Sequence, residues 1–352
     1  MKLNRLFLVL IFLILGGLLA SCGNIMTGSG WPGLTASGER VYLSSGTQVM
    51  ALRASDGILI WGYPEKADSK VNFYAPPAVI ENQIIVGDYH NSLHAIDATN
   101  GTPQWVFNDN NGRFVAGVLV QDDLILAPSA NHKLYALDLD GNLRWKYATK
   151  QALWAKPVSD GELVYQAGMD HHVYALRLSD GSLVWKTNLG GAAMFSPALS
   201  EDGMLFVGSL AKEMAAIKAE NGVIQWRFST AAPIWSQALL HNGTLYFGDT
   251  SGAVYALDAE SGNPRWRMEL TGPVISSPAL MEAGVVFSTE NGDIQALSFD
   301  GAKLWTRSVS GKLYGQPAVG DNLLVFGLVK GDNLAVAFDF NGNERWTFVT
   351  PK

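Results

Sequence analysis

Short apolar runs separated by polar turns are the dominant pattern of the chain after Trp31. One unit shows it clearly: apolar residues 234–240, a turn at 241–243, a second run at 244–248, a hairpin loop at 249–252, a third run at 253–258, a turn at 260–263 and a last run at 265–270. Runs of this length, rich in β-branched and aromatic residues and bounded by Gly, Asn, Asp and Ser, predict β-strands. No segment after Trp31 carries an apolar stripe of helical period. The pattern therefore predicts four strands per unit.

The unit recurs eight times. A Gly-x-x-x-Trp motif stands at Gly57/Trp61, Gly101/Trp105, Gly141/Trp145, Gly181/Trp185, Gly222/Trp226, Gly262/Trp266, Gly301/Trp305 and Gly342/Trp346. An alanine precedes each glycine by five or six residues: Ala51, Ala95, Ala136, Ala175, Ala216, Ala256, Ala296 and Ala337. A repeat of about 40 residues indicates a repeat architecture. We predict an all-β fold, an eight-bladed β-propeller of four-stranded antiparallel blades spanning residues 31–352, with an open solenoid as the alternative.

The three repeated residues have structural roles in this interpretation. The glycine permits the positive φ that a tight turn demands between the third and fourth strands. The alanine leaves room for a ring over the third strand. The eight tryptophans are then structural blade anchors, each buried against a neighbouring blade, and we do not interpret them as a ligand cage.

The first residues have the pattern of a targeting segment. Lys2 and Arg5 precede an apolar stretch at 6–19, and Leu19-Ala20-Ser21-Cys22 resembles a bacterial lipobox, in which the cysteine is lipidated. The apolar stretch is short for a membrane span. We predict a lipoprotein signal peptide at 1–21, lipid attachment at Cys22 and a flexible tether at 22–30 that reaches about 30 Å at most. A plain signal or an anchor helix is the alternative.

Composition excludes several classes of protein. The net charge is −7, and it becomes −9 once residues 1–21 are removed. Such a balance argues against nucleic-acid binding. The single cysteine excludes an internal disulfide and a structural zinc cluster. Low charge with 48% hydrophobic residues excludes a disordered chain.

The repeat also carries a family resemblance. Residues 254–262 with Trp266 resemble the PQQ-type (pyrroloquinoline-quinone-type) β-propeller repeat, and eight units behind a lipobox are similar to the propeller lipoproteins of outer-membrane β-barrel assembly. The resemblance implies a lipid-anchored, extracytoplasmic, monomeric scaffold without enzymatic activity, which binds a protein or cell-wall partner. It would lie on the periplasmic face of an outer membrane, or outside the cytoplasmic membrane of a host without one. In that family a Leu-Arg stretch after a third strand engages the partner; residues 175–181 are loosely similar, and the repeat alone also accounts for them.

The same repeat occurs in quinoprotein dehydrogenases, and this implies an alternative function. Those enzymes resemble this chain in blade design but hold PQQ against a tryptophan and a disulfide of adjacent cysteines, with calcium bound by acidic and amide side chains. Cys22 is the only cysteine here. We therefore expect no catalytic residues, no metal and no cofactor. A quinone- or small-ligand-binding propeller with a dehydrogenase or sensory role, including PQQ with calcium, is the alternative.

Aromatic residues provide the candidate binding site. One opens the innermost strand in seven units: Trp31, Tyr74, Phe114, Trp154, Phe195, Trp235 and Tyr314. Successive strand residues point to opposite faces, so these rings do not all face the same way. We interpret these rings first as core filling. The alternative is a binding rim at the channel mouth, with Lys156, Gln237 and Gln316 as polar groups; its candidate aromatic residues are Trp31, Tyr74, Phe114, Trp154, Trp235 and Tyr314.

The histidines of the hairpin loops are a weaker candidate. His90, His132, His171 and His172 lie between the second and third strands of units two to four. Histidine tolerates the left-handed backbone conformation that such turns require. We interpret them as turn residues, with a metal site as the alternative.

Overall fold

A computed structural model describes residues 31–109 and 112–349. It forms eight antiparallel β-sheets, one for each repeat, arranged as an eight-bladed β-propeller, which confirms the predicted fold. Within the described ranges there are no helices, and thus no helix that could span a membrane. The predicted signal peptide, Cys22 and the tether lie outside the described residues.

The strands are short and follow each other in the sheet as they do along the chain. Blades 1 to 4 contain β1 (Gly33–Ser37), β2 (Arg40–Ser45), β3 (Gln48–Arg53), β4 (Leu59–Tyr63); β5 (Ala78–Ile80), β6 (Gln83–Gly87), β7 (Ser92–Asp97), β8 (Pro103–Asn108); β9 (Leu119–Gln121), β10 (Leu124–Ser129), β11 (Lys133–Asp138), β12 (Leu143–Ala148); and β13 (Val158–Ser159), β14 (Leu163–Ala167), β15 (His172–Arg177), β16 (Leu183–Asn188).

Blades 5 to 8 repeat the arrangement. They contain β17 (Ala198–Leu199), β18 (Met204–Ser209), β19 (Glu213–Lys218), β20 (Ile224–Ser229); β21 (Leu239–His241), β22 (Thr244–Gly248), β23 (Ala253–Asp258), β24 (Pro264–Glu269); β25 (Ala279–Met281), β26 (Gly284–Ser288), β27 (Asp293–Ser298), β28 (Lys303–Ser308); and β29 (Lys312–Leu313), β30 (Ala318–Gly320), β31 (Leu323–Val329), β32 (Ala335–Phe338), β33 (Glu344–Phe348). In blade 8 both β29 and β30 pair with β31.

The hydrophobic core lies between the blades. The second and third strands of each blade are largely buried, whereas outer strands such as β20 alternate exposed and half-buried residues. One core cluster joins Tyr165 and Ala175 of blade 4 to Leu205 and Ile217 of blade 5. Since each sheet buries both faces against its neighbours, the ring is stabilised by stacking of blades.

The Gly-Trp motif connects adjacent blades. Each repeat tryptophan donates its indole N–H to a carbonyl in the turn after the third strand of the next blade, for example Trp185 to Ala219 at 2.8 Å. The repeat glycine of that blade lies under the ring: a Cβ on Gly222 would stand 2.7 Å from Trp185 Cδ2. The alanine is the cross-strand partner of the tryptophan of its own blade, as Ala175 is of Trp185. The three repeated residues thus build one contact between blades.

All eight repeat tryptophans make this hydrogen bond, but they differ in burial. The bonds are Trp61 to Ala98, Trp105 to Leu139, Trp145 to Leu178, Trp185 to Ala219, Trp226 to Ala259, Trp266 to Phe299, Trp305 to Phe340 and Trp346 to Ala54. Trp61, Trp145 and Trp346 are buried. The other five contact the next blade as predicted but are only half-buried: Trp105, Trp185, Trp226, Trp266 and Trp305. The reason is that the fourth strand is the outermost strand of its blade, so one edge of the indole reaches solvent.

Local predictions were mostly correct. In the sixth unit, β22 and β23 have the predicted bounds, but the inner strand covers only Leu239–His241 rather than 234–240. The Ile234 N–H bonds instead to the Ser209 carbonyl of blade 5, so residues 234–238 belong to the connector between blades. Positive φ angles at His132 and His171 confirm their interpretation as turn residues. His172 is the first residue of β15, so its placement in the loop is wrong. In blade 2 the left-handed position is Asn91, not His90.

Candidate functional site

The antiparallel topology divides the loops between two faces of the ring. Turns between the first and second strands and between the third and fourth strands lie on one face, which we call the acidic turn face because of its carboxylates. The second-to-third turns and the connectors between blades lie on the other, the connector face. Backbone hydrogen bonds confirm this grouping: the Met169 N–H, in a second-to-third turn, bonds to the Ala152 carbonyl of a connector.

Five of the predicted aromatic residues occupy one equivalent position on the connector face. In each blade the repeat alanine of the third strand pairs with a residue of the second strand, and that residue pairs with one residue of the first, innermost strand, which we call the inner residue. In blade 2 these three residues are Ala95, Ile85 and Ala78. The residue four positions before that inner residue forms the channel mouth. It is Trp31, Tyr74, Val115, Trp154, Met194, Trp235, Ile275 and Tyr314 in blades 1 to 8. We call this set the rim.

Three rim residues form an aromatic cluster over the channel mouth. Trp31 stacks on Tyr314 with ring centroids 5.7 Å apart and an interplanar angle of 17°. It also contacts Trp235 at 6.2 Å. Blades 1 and 6 are not adjacent in the ring, so Trp31 and Trp235 meet only because their side chains lean over the channel. All three rings remain half-buried and therefore accessible in part.

A charged group borders this cluster. The Tyr314 hydroxyl donates to Glu290 Oε1 at 2.9 Å, and the Lys312 ammonium donates to the same oxygen. The hydrogen bond from Lys312, followed by the one from Tyr314, lowers the pKa of Glu290. Burial, with the Glu290 hydrogen bond, raises the pKa of the Tyr314 phenol. Tyr314 is therefore a neutral donor that is held in place for stacking.

The rim is more open on the side of blades 2 to 4. Tyr74 packs edge-to-face against Tyr89 at 5.0 Å, and the Arg113 guanidinium lies 5.9 Å from the Tyr89 ring centroid. Trp154 is the most exposed tryptophan of the described ranges, at 36%. These rings provide flat apolar surface with one cation beside it.

Lys156, Gln237 and Gln316 share the position two residues after the rim, next to the inner strand. The Gln237 amide Nε2 is 3.4 Å from the Pro197 carbonyl of blade 5, while its backbone N–H bonds to Ser277 Oγ of blade 7. Lys156 is solvent-accessible, yet the surrounding protein desolvates its amine and lowers its pKa. Both observations fit side chains on the channel wall.

Two of the aromatic residues lie elsewhere. Phe114, a candidate for the channel mouth, is 1% exposed and packs against Tyr135 in the core between blades 2 and 3. It precedes the rim residue Val115 by one position, so it points into the core. Phe195 follows the rim residue Met194. Ligand binding by the other predicted residues stays a prediction.

The sequence analysis missed the charge difference between the two faces. Among described residues, turns of the acidic turn face contain seventeen acidic residues and no Lys or Arg: Glu39, Asp56, Glu81, Asp122, Asp123, Asp140, Asp160, Glu162, Asp180, Glu201, Asp202, Glu220, Glu260, Glu282, Asp300, Asp321 and Asp339. Connector-face loops, with the short strand β29 counted in its connector, contain eight acidic and eight basic residues over the same described ranges. The difference emerges once alternate turns are assigned to one face.

A groove of about 540 Å³ lies on the acidic turn face between blades 4 and 5. Its lining includes Asp160, Glu162, Arg177, Val184 and Met204. Arg177 is exposed and stands 3.6 Å from Glu162. A second groove of about 300 Å³ on the other side of Arg177 is lined by Asp123, Leu178 and Ser179. The Leu-Arg stretch noted in the sequence is thus placed between two surface concavities.

The described residues of the channel mouth do not provide the ligand set that calcium prefers. Calcium prefers six to eight oxygen ligands, most of them carboxylates or carbonyls. Glu290 is the carboxylate beside the aromatic cluster, and Lys312 and Tyr314 both donate to its Oε1. The described residues contain no group of three His, Cys, Asp or Glu side chains placed to hold a metal. We therefore derive no chemistry through a quinone with calcium.

Comparison with known proteins shows the family. The family model described as outer membrane protein assembly factor BamB matches residues 25–152, 149–239 and 230–352. The chain therefore belongs to this family. Two curated relatives carry the same name: the protein of Moranella endobia (strain PCIT) is 24% identical over 211 residues, and that of Yersinia pestis 23%. These alignments cover 55% of this chain and about half the length of each relative, 53% and 52%.

Solved structures share the fold. The crystal structure of BamB from Moraxella catarrhalis superposes with a TM-score of 0.76 at 18% identity, covering 87% of this chain and 96% of that one. The computationally designed protein Ika8 gives 0.77 at 12% identity, covering 89% and 97%. A europium-containing methanol dehydrogenase gives 0.72 at 13% identity, covering 86% and 84%. At these identities the similarity shows the fold alone.

Proposed function

We propose that this protein is a lipid-anchored, non-enzymatic scaffold that takes part in outer membrane protein assembly at the cell envelope. The observation that carries the proposal is the family match, which extends over nearly the whole propeller. Lipidation of Cys22 and a tether at 22–30 keep the ring at the membrane. One ring binds one partner as a monomer, and no bound cofactor is needed.

In this proposal the partner binds the acidic turn face, around the groove beside Arg177. Four carboxylates outnumber the two cations Arg177 and Lys218 in the groove lining, and the other turns of this face add carboxylates only, so the face is negative; the four are those of Asp160, Glu162, Asp202 and Glu220. Such a surface steers a basic partner and excludes acidic ones. Val184 adds 40%-exposed apolar surface at the groove. The expected partner is therefore a basic protein surface of the outer membrane assembly machinery.

An in-cell crosslinking experiment tests this placement. Once Cys22 is lipidated, an introduced cysteine is the only free thiol of the chain. Val184→Cys puts a thiol-reactive photocrosslinker in the groove. Ile58→Cys, on the far side of the ring, is the matched control because Ile58 is 52% exposed and also lies close to a third-to-fourth turn. We expect crosslinks from position 184 to proteins of the assembly machinery and none from 58. The same products from both positions would refute the groove.

The anchor has its own test. Mass spectrometry of membrane-fraction protein should find an acylated Cys22 as the N-terminal residue. Cys22→Ala should release a folded propeller into the soluble extracytoplasmic fraction, because two or more acyl chains are needed for stable anchoring. Finding the wild-type Cys22 unmodified would refute the lipid anchor, but it would not affect the proposal that the partner binds at the groove.

Absence of a cofactor is tested on the purified protein. We expect no new absorbance band and no thermal shift after incubation with pyrroloquinoline quinone and calcium. Oxidation of an alcohol or sugar in their presence would overturn the scaffold proposal.

A further inference from the structure

We propose that the connector face of the ring lies against the lipid bilayer, with rim tryptophans at the headgroup region, so that the acidic turn face points away from the membrane. This inference rests on the proposed lipidation of Cys22. It assigns an orientation and a second contact, with phospholipid, that anchoring alone does not require.

The point where the chain enters the ring supports this orientation. Trp31, the first described residue, is held at the channel mouth by Tyr314 and Trp235. Nine peptide units separate it from Cys22, and these extend to about 30 Å at most. Because the chain enters the ring at the channel mouth of the connector face, a tether of this length holds that face nearest to the lipid.

The composition of the connector face fits a bilayer interface. Tryptophan and tyrosine concentrate at the membrane–water boundary because their rings are apolar and their N–H or O–H groups remain hydrated. Trp31, Trp154 and Trp235 are all partly exposed on the rim. The connectors 189–197, 230–238 and 270–278 carry no Asp, Glu, Lys or Arg, so the accessible charges of the connector-face loops in blades 5 to 7 are confined to Lys212 and Glu290 in the second-to-third turns.

The charge distribution favours the same face. Connector-face loops balance eight acidic with eight basic residues, and three of those acids, Asp88, Asp170 and Asp249, are buried. The acidic turn face has seventeen turn carboxylates, which a bilayer with anionic lipids repels within a Debye length. Turning the ring over would bring these carboxylates to the lipid.

A weak contact between the rim and the lipid is sufficient to orient the anchored ring. The anchor makes docking intramolecular, and a short flexible linker gives an effective concentration of about millimolar. A few interfacial rings then decide which face meets the membrane, although they would not bind a soluble ring to vesicles.

Fluorescence quenching tests the orientation on the lipidated full-length protein in phosphatidylethanolamine/phosphatidylglycerol vesicles. Ala231→Cys places an NBD label on the connector face, and Ala302→Cys places it on the acidic turn face; both alanines are exposed. In vesicles with nitroxide-labelled headgroups, the fraction of NBD fluorescence quenched should be at least about twofold larger for the label at 231 than for the label at 302. Trp154→Ala with Trp235→Ala should reduce this difference, while circular dichroism shows the fold retained.

Each outcome decides the question. Equal quenching at both positions, or stronger quenching at 302, overturns the orientation in a protein that floats with vesicles. A label at 231 that is shielded from water but not quenched by lipid means that another occupant covers the face, and this also overturns it. Protein that does not float refutes the anchor itself, and the orientation falls with it.

Discussion

The indole N–H of Trp346 donates a 2.8 Å hydrogen bond to the carbonyl of Ala54, 292 residues earlier in the chain. A Cβ on Gly57 would lie 2.6 Å from the same ring. Trp346, in the last blade, thus makes with the first blade the contact that every other repeat tryptophan makes with its successor. The ring closes by this repeated contact, and every described sheet is built from one continuous repeat rather than from strands of both termini.

The tryptophan contacts should dominate stability. We expect Trp185→Ala to lower the free energy of unfolding by about 3–5 kcal/mol, since it removes a ring packed between blades 4 and 5 and its bond to Ala219. Trp154→Ala is the matched control because its ring lies on the rim, and it should cost about 1 kcal/mol or less. Urea unfolding followed by circular dichroism measures both. Equal costs would contradict the assignment of anchors and rim.

Replacing a glycine that lies under a tryptophan ring should lower the free energy of unfolding more than replacing a glycine that only has a positive φ angle. Gly203 and Gly222 have φ of 80° and 74°, but a Cβ on Gly203 would meet nothing within 4 Å, whereas one on Gly222 would clash with Trp185 and Thr187. Gly203→Ala should cost about 1 kcal/mol. Gly222→Ala should cost about 1–3 kcal/mol more, because the ring must shift. If the two variants unfold at the same urea concentration, the ring does not lie on the glycine.

Closure without strand exchange predicts tolerance of circular permutation. A permutant of the propeller opened between the exposed residues Ala67 and Asp68, with Val349 joined to Trp31, keeps every blade intact. A linker of about six residues matches the other connectors. We expect a single cooperative unfolding transition within about 1 kcal/mol of the unpermuted propeller. Two separate transitions would show that the natural connection between blades 1 and 2 is special.

Lowering the pH should reduce the stability that the Asp258–Arg265 ion pair contributes at the acidic turn face. Arg265 donates to Asp258 at 2.8 Å, and this bond, with the Ser261 amide, lowers the pKa of Asp258 to about 2. A carboxyl with a lowered pKa in the folded state adds stability above its unfolded pKa of about 4 and loses it as the pH falls toward 2. The stability difference between wild type and Asp258→Asn should therefore be constant near neutral pH and vanish near pH 2. Arg265→Gln should shift that loss to higher pH; an unchanged profile would contradict the assigned cause.

The repeat pattern was sufficient to predict the fold because Gly222, Ala175 and Trp185 each leave a sequence signal with a single structural reason. The rim was only partly predictable. Phe114 and Trp154 both open an innermost apolar run in the sequence, yet strand register places Phe114 in the core and Trp154 on the rim. Contact between Trp31 and Trp235 depends on side chains leaning across the channel, and no local pattern encodes it. The acidic turn face was readable from the sequence, once alternate turns are assigned to one face.

The amount of β-barrel protein in the outer membrane is the most direct measure of the proposed function. Deleting this protein from its own cell should lower that amount, and the wild-type chain should restore it. A variant that removes the four groove carboxylates and leaves Arg177 and Lys218 in place should restore it poorly; its substitutions are Asp160→Asn, Glu162→Gln, Asp202→Asn and Glu220→Gln. A matched variant with Glu39→Gln, Asp56→Asn, Glu282→Gln and Asp321→Asn, far from the groove on the same face, should restore it fully. Unchanged β-barrel levels in the deletion strain would contradict the role in outer membrane protein assembly.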